Sequence, residues 1–226
     1  MKTYAIIPAA GSSVRFGGDT LKPLLLLKGK EVIVYSLEIF DQCPLVNGIV
    51  VVAPPNQTAV FENVIKRYSF KKSIKVVPGG KSRYESVNKG LKTLDPNIDF
   101  VLIHDGARPL VSLKIVEQAI NACYASKAVV VGVALKPTIK RVDPMTKVID
   151  TTLDRSILWE AQTPQVFAYE LLTQAHRQGI GLDVEATDDS FLVERFGAKV
   201  KIVEGEYRNI KITTPEDLKM AEALLE

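Results

Sequence analysis

Residues 4–22 read YAIIPAAGSSVRFGGDTLK. An apolar run of strand length, 4–9, passes straight into a loop of glycines and small side chains that carries Arg15 and Lys22. A strand without a polar face needs cover on both sides, which is the condition of a parallel sheet. Four further runs share that character: GIVVVA (48–53), SIKVVP (73–78), FVLIHD (100–105) and AVVVGVAL (128–135). Between them, amphipathic stretches at 30–43, 58–70, 83–94 and 113–125 have helical spacing. Strands alternating with helices predict βαβ units with right-handed crossovers, hence an α/β fold with a mostly parallel sheet and helices on both faces.

Two helix starts are spelled out. Ser82-Arg83-Tyr84-Glu85 reads as a capping box after the Gly79-Gly80 turn, and Thr214-Pro215-Glu216-Asp217 supplies a cap, a first-turn proline and first-turn acids. The rhythm breaks after Leu135. Residues 136–167 lack a helical period, and strand-like pieces flank the turn Asp143-Pro144-Met145-Thr146. They predict a β-hairpin arm leaving the main sheet, an excursion at about 136–160 within one domain spanning 1–226. Helical spacing resumes in YELLTQAHRQ and DDSFLVERF, after which KVKIV and NIKIT are expected as strands before a last helix.

The 226 residues are 46% hydrophobic, which suits a globular domain with a sizeable core. With 29 basic against 26 acidic side chains the net charge is +3, too balanced for a nucleic-acid binder but compatible with a local pocket for a small anion. No apolar run reaches membrane-spanning length, and the N-terminal run is shorter than the apolar centre of a signal peptide. Cys43 and Cys123 are far apart and have no metal-like spacing. A reducing cytoplasm is the expected compartment.

Ligands of open α/β sheets bind beyond the carboxyl ends of the strands. Three predicted strands end there in small residues beside charge: Ala9-Ala10-Gly11, Gly79-Gly80 and His104-Asp105-Gly106-Ala107-Arg108. Small residues let phosphate oxygens approach backbone N–H groups. Neither G-x-G-x-x-G nor G-x-x-x-x-G-K-[ST] occurs, which disfavours dinucleotide-dependent dehydrogenation and P-loop hydrolysis. Arg15 and Lys22 suit a polyphosphate whose charge shifts during reaction, although a solvated surface loop has the same composition. Asp105 reads equally as a Mg²⁺ carboxylate and as a turn cap. His104 reads as structural, Trp159 as packing at the arm's base, and Arg155 and Lys211, taken singly, as surface charges. With two histidines and no G-x-S-x-G, a serine triad has no support.

Taken together, PAAGSSVRF with the following Lys22, GGKSRYESV, VLIHDGARP, PTIKRV, DRSILWEAQTPQVF, TDDSFLVERFG and VEGEYRNIKITTPEDL resemble the 2-C-methyl-D-erythritol 4-phosphate cytidylyltransferases of non-mevalonate isoprenoid synthesis. The first motif is shared by many sugar-nucleotide transferases; HDGARP, TPQVF and NIKITTPEDL in this order are much more specific. The resemblance implies a Rossmann-like nucleotidyltransferase sheet with a protruding β-hairpin arm, CTP and a polyol phosphate as substrates, Mg²⁺ as cofactor, and a homodimer interlocked through the arms. It implies that Arg15 and Lys22 are catalytic. The nucleotide would meet Ala9, Ala10, Gly11, Gly80, Arg83, Ser86 and Asp105, with Asp105 also holding the metal. The polyol phosphate would meet Arg108, Thr138, Arg155, Thr163, Thr187 and Lys211, some of them across the dimer. The chain departs from the family at Pro23-Leu24, where Gln and an aromatic are usual, and at Lys81 and Arg208, where some members carry acids. No second metal carboxylate is therefore read at 208. A ribitol-5-phosphate cytidylyltransferase and a non-catalytic nucleotide-binding module are the competing expectations; Ala107, small where the ribitol enzymes tend to be bulkier, is the discriminator against the first.

Overall fold

The computed structural model describes residues 1–11, 21–179 and 187–225. Its centre is a seven-stranded sheet. Strand β1 (Thr3–Pro8) lies between β6 (Phe100–Ile103) and β4 (Gly48–Ala53), and β5 (Ile74–Pro78) forms one edge beyond β4. On the other side come β10 (Trp159–Ala168), β7 (Ala128–Ala134) and the edge strand β11 (Lys201–Glu204). All neighbours are parallel except β10, which runs antiparallel to both β6 and β7.

Alternation along the strands divides the core. Ala5, Ile7, Ile49 and Val51 face one way and join residues of α1 (Val32–Gln42), α2 (Thr58–Lys66) and α4 (Leu113–Ser126), among them Phe40, Phe61 and Ile115. Ile6, Val50 and Val52 face the other way and meet Val87 of α3 (Arg83–Leu91), Leu172 of α5 (Tyr169–Gln178) and Leu192 of α6 (Asp189–Arg195). Both faces of each central strand are thus consumed, which is why the sequence carries no polar alternation there. A third cluster, Leu27, Val32, Leu110, Ile212 and Ala221, seats α7 (Pro215–Leu224).

Both sequence-encoded caps form. Ser82 Oγ accepts from the Glu85 amide at 3.1 Å, but the Glu85 carboxylate reaches back to the Lys81 amide at 2.8 Å, one residue beyond the usual box. Thr214 and Asp217 make the full reciprocal box. Pro23 is buried in a short 3-10 turn, Lys22–Leu24, which leads into the small antiparallel pair β2 (Leu26–Leu27) and β3 (Lys30–Glu31). The departure at Pro23 is therefore accommodated by a turn that tolerates proline near its start.

The arm is a two-stranded hairpin of β8 (Lys140–Val142) and β9 (Ile149–Thr152). Asp143 Oδ1 accepts from the amides of Met145 and Thr146 and fixes its turn. Two expectations need correction. Residues 159–168 belong to the main sheet as β10, because Val166 and Phe167 are buried between β6 and β7 despite the polar Gln162-Thr163. NIKIT is not a strand. Its Asn209 side chain satisfies β10, donating to the Thr163 carbonyl at 2.8 Å, and its Ile210 amide turns back onto the Arg208 carbonyl at 2.7 Å. The segment after β11 therefore crosses the carboxyl ends of the strands, touching the tail of β6 through Ile212 N to the Ala107 carbonyl at 2.8 Å. Among the described residues no helix is long and apolar enough to cross a membrane.

Candidate active site

The turn after β6, the middle of β10, the starts of α3 and α6 and this crossing segment enclose a cleft of about 240 Å³ whose lining includes Arg83, Asp105, Arg108, Thr163, Gln165, Thr187, Asp188 and Lys211. Asp105 is at its centre. Lys211 Nζ lies 2.9 Å and Arg108 Nε 3.5 Å from its Oδ2, and Arg83 Nε lies 3.6 Å from Oδ1. Burial disfavours ionisation of Asp105, but Lys211, Arg83 and Arg108 outweigh it and hold the carboxyl well below the usual carboxylate range.

The turn that carries Asp105 is fixed from below. The Asp105 amide donates to Thr163 Oγ1 at 3.1 Å, and that hydroxyl lies 3.0 Å from His104 Nδ1. His104 Nε2 is 3.0 Å from the Arg108 carbonyl, which also accepts from the Ser36 hydroxyl at 2.9 Å. Thr163 therefore donates to Nδ1, and the imidazole donates through Nε2. Burial pushes the His104 pKa down to about 4, in keeping with a neutral ring. Thr163 occupies the irregular stretch of β10, where the register against β7 shifts between Ala161 and Gln165. Thr163 is thus both a cleft residue and the prop of the Asp105 turn.

Arg83, at the first turn of α3, is shared. Its Nη1 donates to Asp189 Oδ2 at 2.6 Å, while Nε faces Asp105. Asp189 is buried and meets His176 Nε2 at 3.2 Å; Arg83 and His176 overcome the burial that would otherwise raise its pKa. Gln165 positions Asp188 and the start of α6, donating to Asp188 Oδ2 at 2.8 Å and accepting from the amides of Asp189 and Ser190. Asn209 locks the other wall. It is fully buried, its carbonyl accepts from Arg108 Nη1 at 2.8 Å, and Gln162 beside it donates to the Glu206 carbonyl at 3.0 Å.

Small residues crowd together at the ends of β1, β4 and β5. A Cβ on Gly79 would fall 2.8 Å from Ala10 Cβ and 2.9 Å from Ser86 Oγ, so these residues meet with no room for a side chain. The Gly80 amide donates to Ser86 Oγ at 3.1 Å, and Ser86 donates to the Ser82 carbonyl at 2.9 Å. Ala9 is buried beneath, 3.4 Å from where a Cβ on Gly106 would stand, and Gly11 is exposed.

The structure thus gathers Arg83, Asp105, Arg108, Thr163, Thr187 and Lys211, and places Ala10, Gly80 and Ser86 at the neighbouring strand ends. It does not bring Thr138 and Arg155 to the cleft of the same chain: both are exposed at the root of the arm. Lys22 stands in its 3-10 turn outside the cleft lining, and Arg15 lies outside the described residues. Sequence reading missed Asp189, Gln165 and Asn209 as site-forming residues. Paired acids opening a helical run look like caps, and Asp188 is one, accepting from the Phe191 amide; nothing in the sequence says that the second acid turns inward.

A mostly parallel sheet with a cation-lined cleft at its carboxyl ends, whose lining among the described residues holds no cysteine, serine or histidine, suits a nucleotidyltransferase. The model of the 2-C-methyl-D-erythritol 4-phosphate cytidylyltransferase family matches residues 3–226. The enzyme of that name from Caldanaerobacter subterraneus subsp. tengcongensis is 47% identical over 226 residues, covering 100% of this chain and 99% of its own, and that of Clostridioides difficile is 45% identical over 221 residues, covering 97% and 92%. Among solved structures, the 4-diphosphocytidyl-2C-methyl-D-erythritol synthase of Anaerococcus prevotii superposes with a TM-score of 0.87 at 35% identity, covering 99% of this chain and 95% of its own. The chain belongs to the 2-C-methyl-D-erythritol 4-phosphate cytidylyltransferase family.

Asn209→Ala removes the donor on which the Thr163 carbonyl and Gln162 depend. It is expected to lower stability by about 1–3 kcal/mol, read as a shifted urea midpoint with an unchanged m-value. An unchanged midpoint would show that the wall stands without it.

Proposed function

We propose that this cleft transfers CMP from CTP to 2-C-methyl-D-erythritol 4-phosphate, releasing pyrophosphate and forming an isoprenoid precursor. The observation that carries the assignment is the set of cations around Asp105 in a chain of this family. A phosphate monoester is already anionic, so its attack on the α-phosphorus of CTP needs no side chain to remove a proton. The reaction needs alignment of two polyanions and stabilisation of the charge that moves to the leaving group. That requirement explains a site rich in guanidinium and ammonium groups whose buried histidine is neutral.

In this assignment the cytosine rests against Gly80, Ser86 and Arg83, and the backbone at Ala9, Ala10 and Gly11 follows the phosphates. The tight contact of Gly79 with Ala10 and Ser86 supports a flat base-binding floor. Arg15 and Lys22 stabilise the α-phosphate and the departing pyrophosphate. Lys211, Arg108 and Thr187 receive the polyol phosphate, Thr163 props the Asp105 turn beneath it with its one hydroxyl hydrogen on His104, and Arg155 and Thr138 reach the phosphate from the arm of a second copy. Asp105 fits Mg²⁺ as a single carboxylate, since that ion takes its remaining ligands from phosphate oxygens and water. Bound there, Mg²⁺ would offset triphosphate charge and leave Lys211 for the substrate phosphate.

The arm supports a homodimer. Met145 is 88% and Ile157 75% exposed, and Val148 and Ile149 are also exposed on or beside a two-stranded hairpin, a unit of marginal stability alone. A cytoplasmic location agrees with Cys43 and Cys123, both buried and free.

Pyrophosphate release with CTP and Mg²⁺ is expected with 2-C-methyl-D-erythritol 4-phosphate and to be far slower with ribitol 5-phosphate; the reverse preference would assign the ribitol alternative, and turnover of neither a binding module. Lys22→Ala is expected to lower kcat by about 10²–10³. A normal kcat with a raised KM for CTP would make Lys22 a binding residue only. Deleting residues 139–151 should give a monomer with little activity, checked by light scattering and the same assay, and an active monomer would remove the arm from the site.

A further inference from the structure

At the root of the arm, a short chain of contacts ends on Arg155. Tyr207, two residues before the buried Asn209, donates its hydroxyl to the Ala134 carbonyl at the end of β7, at 2.8 Å. The Lys136 ammonium lies 3.5 Å from the centre of the Tyr207 ring. The Lys136 carbonyl in turn accepts from Arg155 Nη1 at 2.5 Å. The same crossing segment is anchored to the rest of the site. The Gly205 amide donates to the Gly132 carbonyl at 2.7 Å, Ser112 Oγ donates to Glu206 Oε1 at 3.1 Å, and four residues after Tyr207 the segment delivers Lys211 to Asp105.

Arg155 is an exposed, long side chain that would otherwise sample many rotamers. Here it is held by a carbonyl whose own residue is pinned over an aromatic ring. We infer that Tyr207 and Lys136 are positioning residues that set the arm root and aim Arg155 at the substrate phosphate. The ring and hydroxyl of Tyr207 do different things: the ring gathers the Lys136 ammonium, and the hydroxyl ties both to the end of β7. Cation and ring attract through the ring's quadrupole, a surface-grade interaction, so the effect on binding is graded rather than all-or-none. The inference rests on the proposal that Arg155 binds the polyol phosphate.

The test is steady-state kinetics on the full-length enzyme with CTP, Mg²⁺ and 2-C-methyl-D-erythritol 4-phosphate, together with the Tm of each variant. Tyr207→Leu and Lys136→Met are expected to raise the polyol-phosphate KM about three- to tenfold, with the CTP KM within about twofold and Tm little changed. Tyr207→Phe, which keeps the ring over Lys136 but loses the bond to the Ala134 carbonyl, should fall between the wild type and Tyr207→Leu. In an Arg155→Ala background, Tyr207→Leu should add less than about twofold, because the two act through one group. Three results overturn the inference while leaving the Arg155 assignment standing: no change in Tyr207→Leu, an equal rise in both KM values, or effects of Tyr207→Leu and Arg155→Ala that multiply in full. If Arg155→Ala itself leaves the polyol-phosphate KM unchanged, the assignment of Arg155 fails, and the inference falls with it.

Discussion

One carboxylate organises the carboxyl edge of this sheet. Asp105 lies among Lys211, Arg108 and Arg83, and these come from three separate places: the segment after β11, the turn after β6 and the first turn of α3. Bringing three cations together would be repulsive without the acid between them. A buried acid would likewise be neutralised without the cations. Each side of the arrangement makes the other affordable, and both must be correctly placed for either to remain charged. The surrounding hydrogen bonds serve that placement. Thr163 holds the Asp105 amide, Asn209 holds Arg108 through its carbonyl, and Asp189 holds the far side of Arg83.

The result is a charged cluster around Asp105 that the fold holds in place before any substrate enters. Catalysis by charge stabilisation depends on such preorganisation, because groups already in position cost no rearrangement as charge moves. It also accounts for a polar interior in an otherwise apolar core. His104, Thr163, Gln165, Asp189 and Asn209 are buried, and their bonds run to one another, to the strand ends or to the cations. A buried polar group that is not bonded costs free energy, and in this network Arg108 Nε, His176 Nδ1 and Asn209 Oδ1 are buried without a hydrogen-bond partner, Nε facing the Asp105 carboxylate instead.

The sheet was legible because its strands are apolar on both faces, and only a doubly covered parallel sheet buries YAIIP and GIVVVA equally well. The hairpin was legible from its turn, and the last helix from its cap, first-turn proline and first-turn acids. Strand β10 was not. Its outer half is polar because it builds the cleft, and a segment that serves a site loses the periodicity by which strands are recognised. NIKIT misled in the opposite sense. Its alternating Ile210 and Ile212 are those of a strand, but Asn209 spends its amide on the β10 backbone and the segment turns across the strand ends instead. Asp105 could be singled out as a charge at the end of an apolar run, whereas Lys211 read as a surface charge and entered the site only through the family resemblance. That they touch, and that Asp189 is the inward partner of Arg83, are facts of three-dimensional proximity between residues 106 positions apart or in the same range, which no local pattern carries.

His104 has a consequence for how this turn behaves in a living cell. With its proton affinity depressed to about 4, the ring stays uncharged through mild acidification, and its bonds to the Arg108 carbonyl and the Thr163 hydroxyl keep one polarity. A protonated ring would have nothing to accept from Thr163 and would set a new positive charge against Arg108. By keeping that event far below neutrality, the fold makes the geometry beneath Asp105 indifferent to the modest swings in acidity that accompany changes in metabolism.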